Sequence, residues 1–338
     1  MSAEQFSPDS FDPINLEAEI EAVRSLELRD FTRLKVDAKL GDVVLGCLYY
    51  QPEEATDDTP IGIVKGLGAP RAVYLGLAEA IAKRGRPAFI YKAPRKQPLS
   101  EALSPEHLSD PLVLQMTAVR YAMQALHNSE RVTELRGDNA VTQIDLAGHS
   151  MGNYIAVGAA YHDTVEKPNE NVHVRTLTSV AGASLDSYSS FKELRQPGEG
   201  RLQQMRRLAH RLPDVAMEEI IKGAPLILKS SPVDIWKDAV KHVFRLQTIL
   251  EIIKIATAPN VDDKVTALRE AGMPYGALLP EDDKFFHYDR VLSRSGHLLD
   301  AYGIIEGANH VYPNTHPEEF ASYLIAMTNV LNAKKNAK

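Results

Sequence analysis

The chain of 338 residues holds a single cysteine, Cys47. One thiol excludes an internal disulfide and leaves a cysteine-ligated metal site short of ligands. Cys47 lies in the apolar run VVLGCLYY, where it reads as a buried structural residue. Nowhere do about eighteen apolar residues follow one another without a break, so no membrane span is expected. The opening residues, MSAEQFSPDSFDPINL, lack a basic stretch followed by an apolar one, so no signal peptide is expected. Basic residues are not in excess: 38 Lys and Arg against 45 Asp and Glu give a formal net charge of −7. The two signs are interspersed, which removes the basic stripe of a nucleic-acid binder. An acidic balance also favours a neutral or apolar substrate over a polyanion. Together these absences predict a soluble, cytoplasmic protein with no nucleic-acid partner and no membrane span.

What is present is ordinary for a folded protein. Hydrophobic residues make up 44% and charged residues 25%, which argues against disorder. The length suits one large α/β domain, with or without an insertion, or two smaller domains. NLEAEIEAVRSLEL is a short helical candidate, and RLKVDAKLGDVVLGCLYYQP reads as a hairpin turning at LGD. Strands and helices then alternate: PIGIVKG, RAVYLGLAEAIAKRG, RPAFIYKAP, DPLVLQMTAVRYAMQALHN, NAVTQIDLAG, NYIAVGAAYHD and VHVRTLTSVAG. Alternation of this length predicts parallel crossovers in one covered sheet. Between about residues 184 and 258 only helical patterns occur, as expected of a lid inserted over a ligand crevice or, alternatively, of further helices flanking the sheet. Alternation returns with KVTALREAG, MPYGALLPEDD and HLLDAYGIIEGANH, and the chain closes on a helix ending in lysines.

Gly148-His149-Ser150-Met151-Gly152 places a serine between two glycines, after an apolar strand and before an alanine-rich helix. A serine at the apex of such a tight strand-to-helix turn has the form of a nucleophile, with small neighbours letting the turn close. A capping serine in a plain turn is the competing reading. A serine hydroxyl needs a base, and His310 follows a strand and a glycine-containing turn ahead of the last helix. His316 stands at a helix start and reads as a capping or surface residue, and His149 as a pocket-shaping neighbour of the serine. The base needs an orienting carboxylate. In YGALLPEDDKFF this is Asp283 in preference to Asp282, with Asp289 a further candidate. An oxyanion needs two backbone donors. Met151 would supply one, and Leu67, between Gly66 and Gly68, the other.

With these parts, the chain resembles the α/β-hydrolase superfamily over roughly residues 36–332. GHSMGN is similar to the serine turn of lipases and esterases, GANH with HPEEF to the histidine loop and last helix, and KGLGAPRAVYLGLAEAIAKRG to the oxyanion loop. Lys65 stands where many members carry histidine. The resemblance implies an α/β-hydrolase fold, with a mostly parallel central sheet flanked by helices and a helical cap insertion. It divides the chain into a lead-in and short helix at 1–35, a core at 36–183 and 259–338, and a cap at 184–258. It implies a serine hydrolase of the carboxylesterase or lipase kind, with Ser150, His310 and Asp283 as triad, acting on a hydrophobic small-molecule acyl substrate through an acyl-enzyme. Neither cofactor nor metal is expected. A non-catalytic binder on the same fold, or hydrolysis of thioester, amide or carbon–carbon bonds, are the alternatives.

Overall fold

The computed structural model describes residues 16–40, 43–66, 69, 71–92, 111–182 and 261–337. The expected cap at 184–258 and the expected oxyanion donor Leu67 therefore lie outside the described residues. The first elements are helix α1 (Leu16–Arg24) and the antiparallel strands β1 (Phe31–Leu40) and β2 (Val43–Pro52). β1 begins ahead of the expected boundary at residue 36, because Phe31 to Leu34 already pair with β2 and Leu34 is buried. Next come β3 (Ile61–Val64), a 3-10 turn at Arg71–Tyr74, α2 (Leu75–Lys83) and β4 (Ala88–Tyr91). They are followed by α3 (Pro111–His127), α4 (Glu130–Leu135), β5 (Gln143–His149), α5 (Gly152–Tyr161) and β6 (His173–Val180). The last part contains α6 (Asp262–Glu270), β7 (Tyr275–Pro280), α7 (Tyr288–Ser295), β8 (Ala301–Ile305), α8 (Tyr312–Thr315) and α9 (Pro317–Asn336).

The strands form one sheet in the order β1-β2-β4-β3-β5-β6-β7-β8. β2 pairs antiparallel with β1 and β4, and every later pairing is parallel. Both faces are covered, which is why β3, β4 and β7 read as unbroken apolar runs. Successive residues nevertheless go to opposite faces. Phe89 and Tyr91 of β4 join the cluster that holds Val119 of α3 and Ile155 of α5, whereas Ala88 and Ile90 join Ile81 of α2 and Leu324 of α9. α1 packs its Ile20 and Val23 into this second cluster. Each buried Val, Leu, Ile or Phe side chain among them contributes roughly 1.5–3 kcal/mol.

A buried ion network ties down β5 toward its start. Asp145 is fully buried and accepts from Arg86 Nη2 at 2.7 Å, Arg175 Nη2 at 2.6 Å, Arg175 Nε at 3.0 Å and Thr176 Oγ1 at 2.7 Å. Adjacent strand residues normally face opposite sides of a sheet. The register between β5 and β6 shifts at Ile144/Asp145, so the extra residue on β6 is Arg175. That bulge lets Arg175 and Thr176 both reach one carboxylate.

Candidate active site

β5 ends at His149 and α5 begins at Gly152, so only Ser150 and Met151 make the turn. Ser150 has φ = +54°. A non-glycine residue there sets its Cβ against the following carbonyl, at a cost of roughly 1–2 kcal/mol. The turn is held by Ser150 N–H donating to Val180 O at 2.8 Å and Asn153 N–H donating to Ser150 O at 3.1 Å. The flanking glycines follow from space. A Cβ on Gly148 would lie 2.4 Å from Asn153 Cα, and one on Gly152 would lie 2.1 Å from Val64 O. Any larger residue at either position separates the new helix from β5 or β3. Met151 occupies the position before the first residue of α5, where backbone N–H groups have no intrahelical partner.

His310 and Asp283 arrive on the loops after β8 and β7, at the same edge of the sheet. His310 Nδ1 donates to Asp283 Oδ2 at 2.9 Å. Asp283 has no exposed surface, and His310 retains 9%. The other carboxylate oxygen, Oδ1, accepts from the backbone N–H groups of Phe285 at 2.8 Å and Phe286 at 3.1 Å. The carboxylate is thus fixed from both sides before it meets the imidazole. The rings of Phe285 and Phe286 flank His310 at centroid distances of 4.8 and 5.7 Å. Asp282 is exposed and Asp289 accepts from Arg290 N–H in the first turn of α7, so of the three carboxylates considered it is Asp283 that meets the histidine. His316 lies apart from this pair, stacked on Tyr312 at 4.3 Å and bonded to Thr315 Oγ1.

The turn and the histidine loop are joined directly. His149 Nε2 donates to the His310 carbonyl at 2.9 Å, and the two rings lie 5.1 Å apart. On its other side, His149 Nδ1 meets Tyr74 Oη at 2.6 Å, and that oxygen accepts from Gly66 N–H at 3.1 Å. A Cβ on Gly66 would lie 3.3 Å from Ser150 Cβ, so the loop after β3 runs against the serine. Lys65 Nζ closes this loop onto Ala69 O at 2.9 Å. Burial, and then the neighbouring His310, push the His149 imidazole down to about 3, so the ring is neutral. Tyr74 and the bonding role of His149 were not legible from the sequence: their partners lie 8 to 161 residues away. Among the described residues, no group of three or more His, Cys, Asp or Glu is placed to hold a metal ion.

A serine at positive φ between a strand and a helix, on a mostly parallel eight-stranded sheet, defines an α/β-hydrolase fold. The model of the alpha/beta hydrolase family matches residues 104–323, more than half of the chain, and the chain belongs to that family. Solved structures agree on the fold at low identity. A bacterial membrane phospholipase A is 18% identical with a TM-score of 0.54, over 94% of this chain and 91% of that one. A bromoperoxidase from Bacillus anthracis is 13% identical with a TM-score of 0.53, over 88% and 100%. A carboxylesterase from Bacillus subtilis is 12% identical with a TM-score of 0.51, over 93% and 97%. No curated protein matches the chain. Among the described residues, no helix is long and apolar enough to cross a membrane.

Proposed function

We propose that the chain is a serine hydrolase that cleaves a carboxylic ester, or a related acyl bond, of a hydrophobic small molecule. The observation that carries this reading is Ser150 held at φ = +54° beside a loop whose His310 is already paired with a buried carboxylate. Backbone strain of this kind collects at functional turns. In the proposed reaction Ser150 Oγ attacks the carbonyl carbon while His310 Nε2 takes its proton. Asp283, accepting from Nδ1–H, keeps the ring in the tautomer whose Nε2 can act as base, and stabilises the imidazolium that forms. The oxyanion is held by the backbone N–H of Met151 and that of Leu67. Gly66 N–H is engaged by Tyr74 Oη, which favours the following amide as the donor from this loop. His310 then protonates the leaving alcohol and activates water to release the acid.

The test is covalent labelling by an alkyl fluorophosphonate, followed by turnover of p-nitrophenyl butyrate. Wild type is expected to label at Ser150 and to turn over the ester, and Ser150→Ala to do neither. A wild type that neither labels nor hydrolyses the ester refutes the proposal and leaves a binding protein on a hydrolase fold.

A further inference from the structure

We infer that Tyr74 and His149 are positioning residues, a buried relay that holds the loop after β3, the serine turn and the His310 loop in one fixed arrangement. The inference rests on Ser150 and His310 acting as proposed above. Its direction follows from the donors. The His310 carbonyl can only accept, so His149 Nε2 carries the hydrogen in the 2.9 Å bond. The buried ring is neutral, so its Nδ1 has a lone pair and must accept, which makes Tyr74 Oη–H the donor across 2.6 Å. The tyrosine oxygen then accepts from Gly66 N–H at 3.1 Å. One continuous chain runs from Gly66 N–H through the tyrosine hydroxyl and the imidazole to the His310 carbonyl. Both ring nitrogens of His149 are used, and Tyr74 Oη, bonded to His149 and Gly66, also meets the Asn314 side chain.

The loops joined are those an acyl transfer must hold in register. Gly66 precedes the proposed oxyanion donor, His149 precedes Ser150, and the third group is the backbone of His310 itself. Tyr74 and His149 are both buried. Misplacement of reacting groups by about 1 Å costs on the order of a hundredfold in rate. The relay acts on that distance without touching substrate. Tyr74 sits at the start of α2, yet its side chain makes no cap bond there. Its hydroxyl is directed to the site instead.

The experiment measures the inactivation rate constant, kinact, and the apparent affinity, KI, for an alkyl fluorophosphonate, well below the melting temperature of every variant. Tyr74→Phe keeps the ring and removes the hydroxyl, so kinact is expected to fall about tenfold with KI within about twofold of wild type. Tyr49→Phe is the matched control: it removes a buried hydroxyl that donates to Gln51 Oε1 at 2.5 Å on β2, separated from β5 by β4 and β3. It is expected to lower stability and leave kinact unchanged. His149→Gln sets an amide nitrogen where Nε2 stood and is expected to recover most of the rate that His149→Phe loses. If His149→Phe does not fold, the comparison of Tyr74→Phe with Tyr49→Phe decides the matter alone. Wild-type kinact in Tyr74→Phe, a change confined to KI, or an equal loss in Tyr49→Phe overturns the positioning role. A wild type that does not label overturns the nucleophile assignment, and the relay with it.

Discussion

His149 gives the fold a defined weakness to acid. Its ordinary value is 6.5, and burial together with His310 pushes it down to about 3 in the folded chain. As pH falls, the unfolded chain therefore takes up a proton before the folded one does. The stabilisation is complete above about pH 6.5 and is lost progressively as pH falls toward 3. From pH 6.5 to pH 5 is one and a half units, each worth about 1.4 kcal/mol, so about 2 kcal/mol is lost through this one ring. The measurement is urea unfolding of wild type and His149→Gln at pH 8 and at pH 5. Glutamine does not titrate, and His310, Asp283 and Tyr74, the ionisable neighbours of the ring, are common to both proteins. Wild type is expected to lose about 2 kcal/mol more than the variant between the two pH values. Equal losses would mean that His149 is protonated in the folded state, and the donor–acceptor order of the relay would fail. Nitrogen-15 spectra give an independent check, since at pH 5 the ring should show the neutral tautomer protonated at Nε2.

Three further perturbations test the site and its support. Asp283→Asn should lower p-nitrophenyl butyrate turnover by on the order of 10³–10⁴, because the amide no longer selects the required tautomer. Asp282→Asn, changing an exposed side chain, should leave turnover within about twofold, and an equal loss in the two would reassign the acid. Ser150→Gly should be more stable to heat than Ser150→Ala by about 1 kcal/mol, because only glycine adopts positive φ without strain, while both are inactive. A Gly variant less stable than the Ala variant would remove the strain argument. Asp145→Asn should cost about 1.5–3 kcal/mol in thermal or urea unfolding, because Arg86 and Arg175 then keep only the partly exposed Asp57 as counter-charge. A shift below about 1 kcal/mol would show that water or another group replaces the carboxylate.

The strands and the serine turn were legible in the sequence because each is set by local pattern. β3, β4 and β7 announce themselves as apolar runs because helices cover both faces, and the turn because contacts at Gly148 and Gly152 admit no side chain. The contacts between loops were not legible, because they depend on strand order rather than on any one segment. Asp282 and Asp283 are indistinguishable as adjacent letters. What separates them is that Asp283 folds back onto the amides of Phe285 and Phe286, a short-range turn for which DDKFF is at best a faint signal. Asp145 stood in view as an acid inside an apolar strand, yet its partners come from the turn before β4 and from a bulge on β6. Tyr74 stands in the sequence as one letter of RAVYLGLAEAIAKRG, leading into α2. Only the order β4-β3-β5 brings the start of that helix beside the serine turn, and only the return of the chain through β7 and β8 brings the His310 carbonyl to His149. Local pattern thus selects which residues reach the edge of the sheet where the strands end, and topology selects which of them touch. Asp145, joined to its arginines by topology, supports the fold, whereas Tyr74, joined to the site in the same way, is the residue whose loss should alter the rate before it alters the fold.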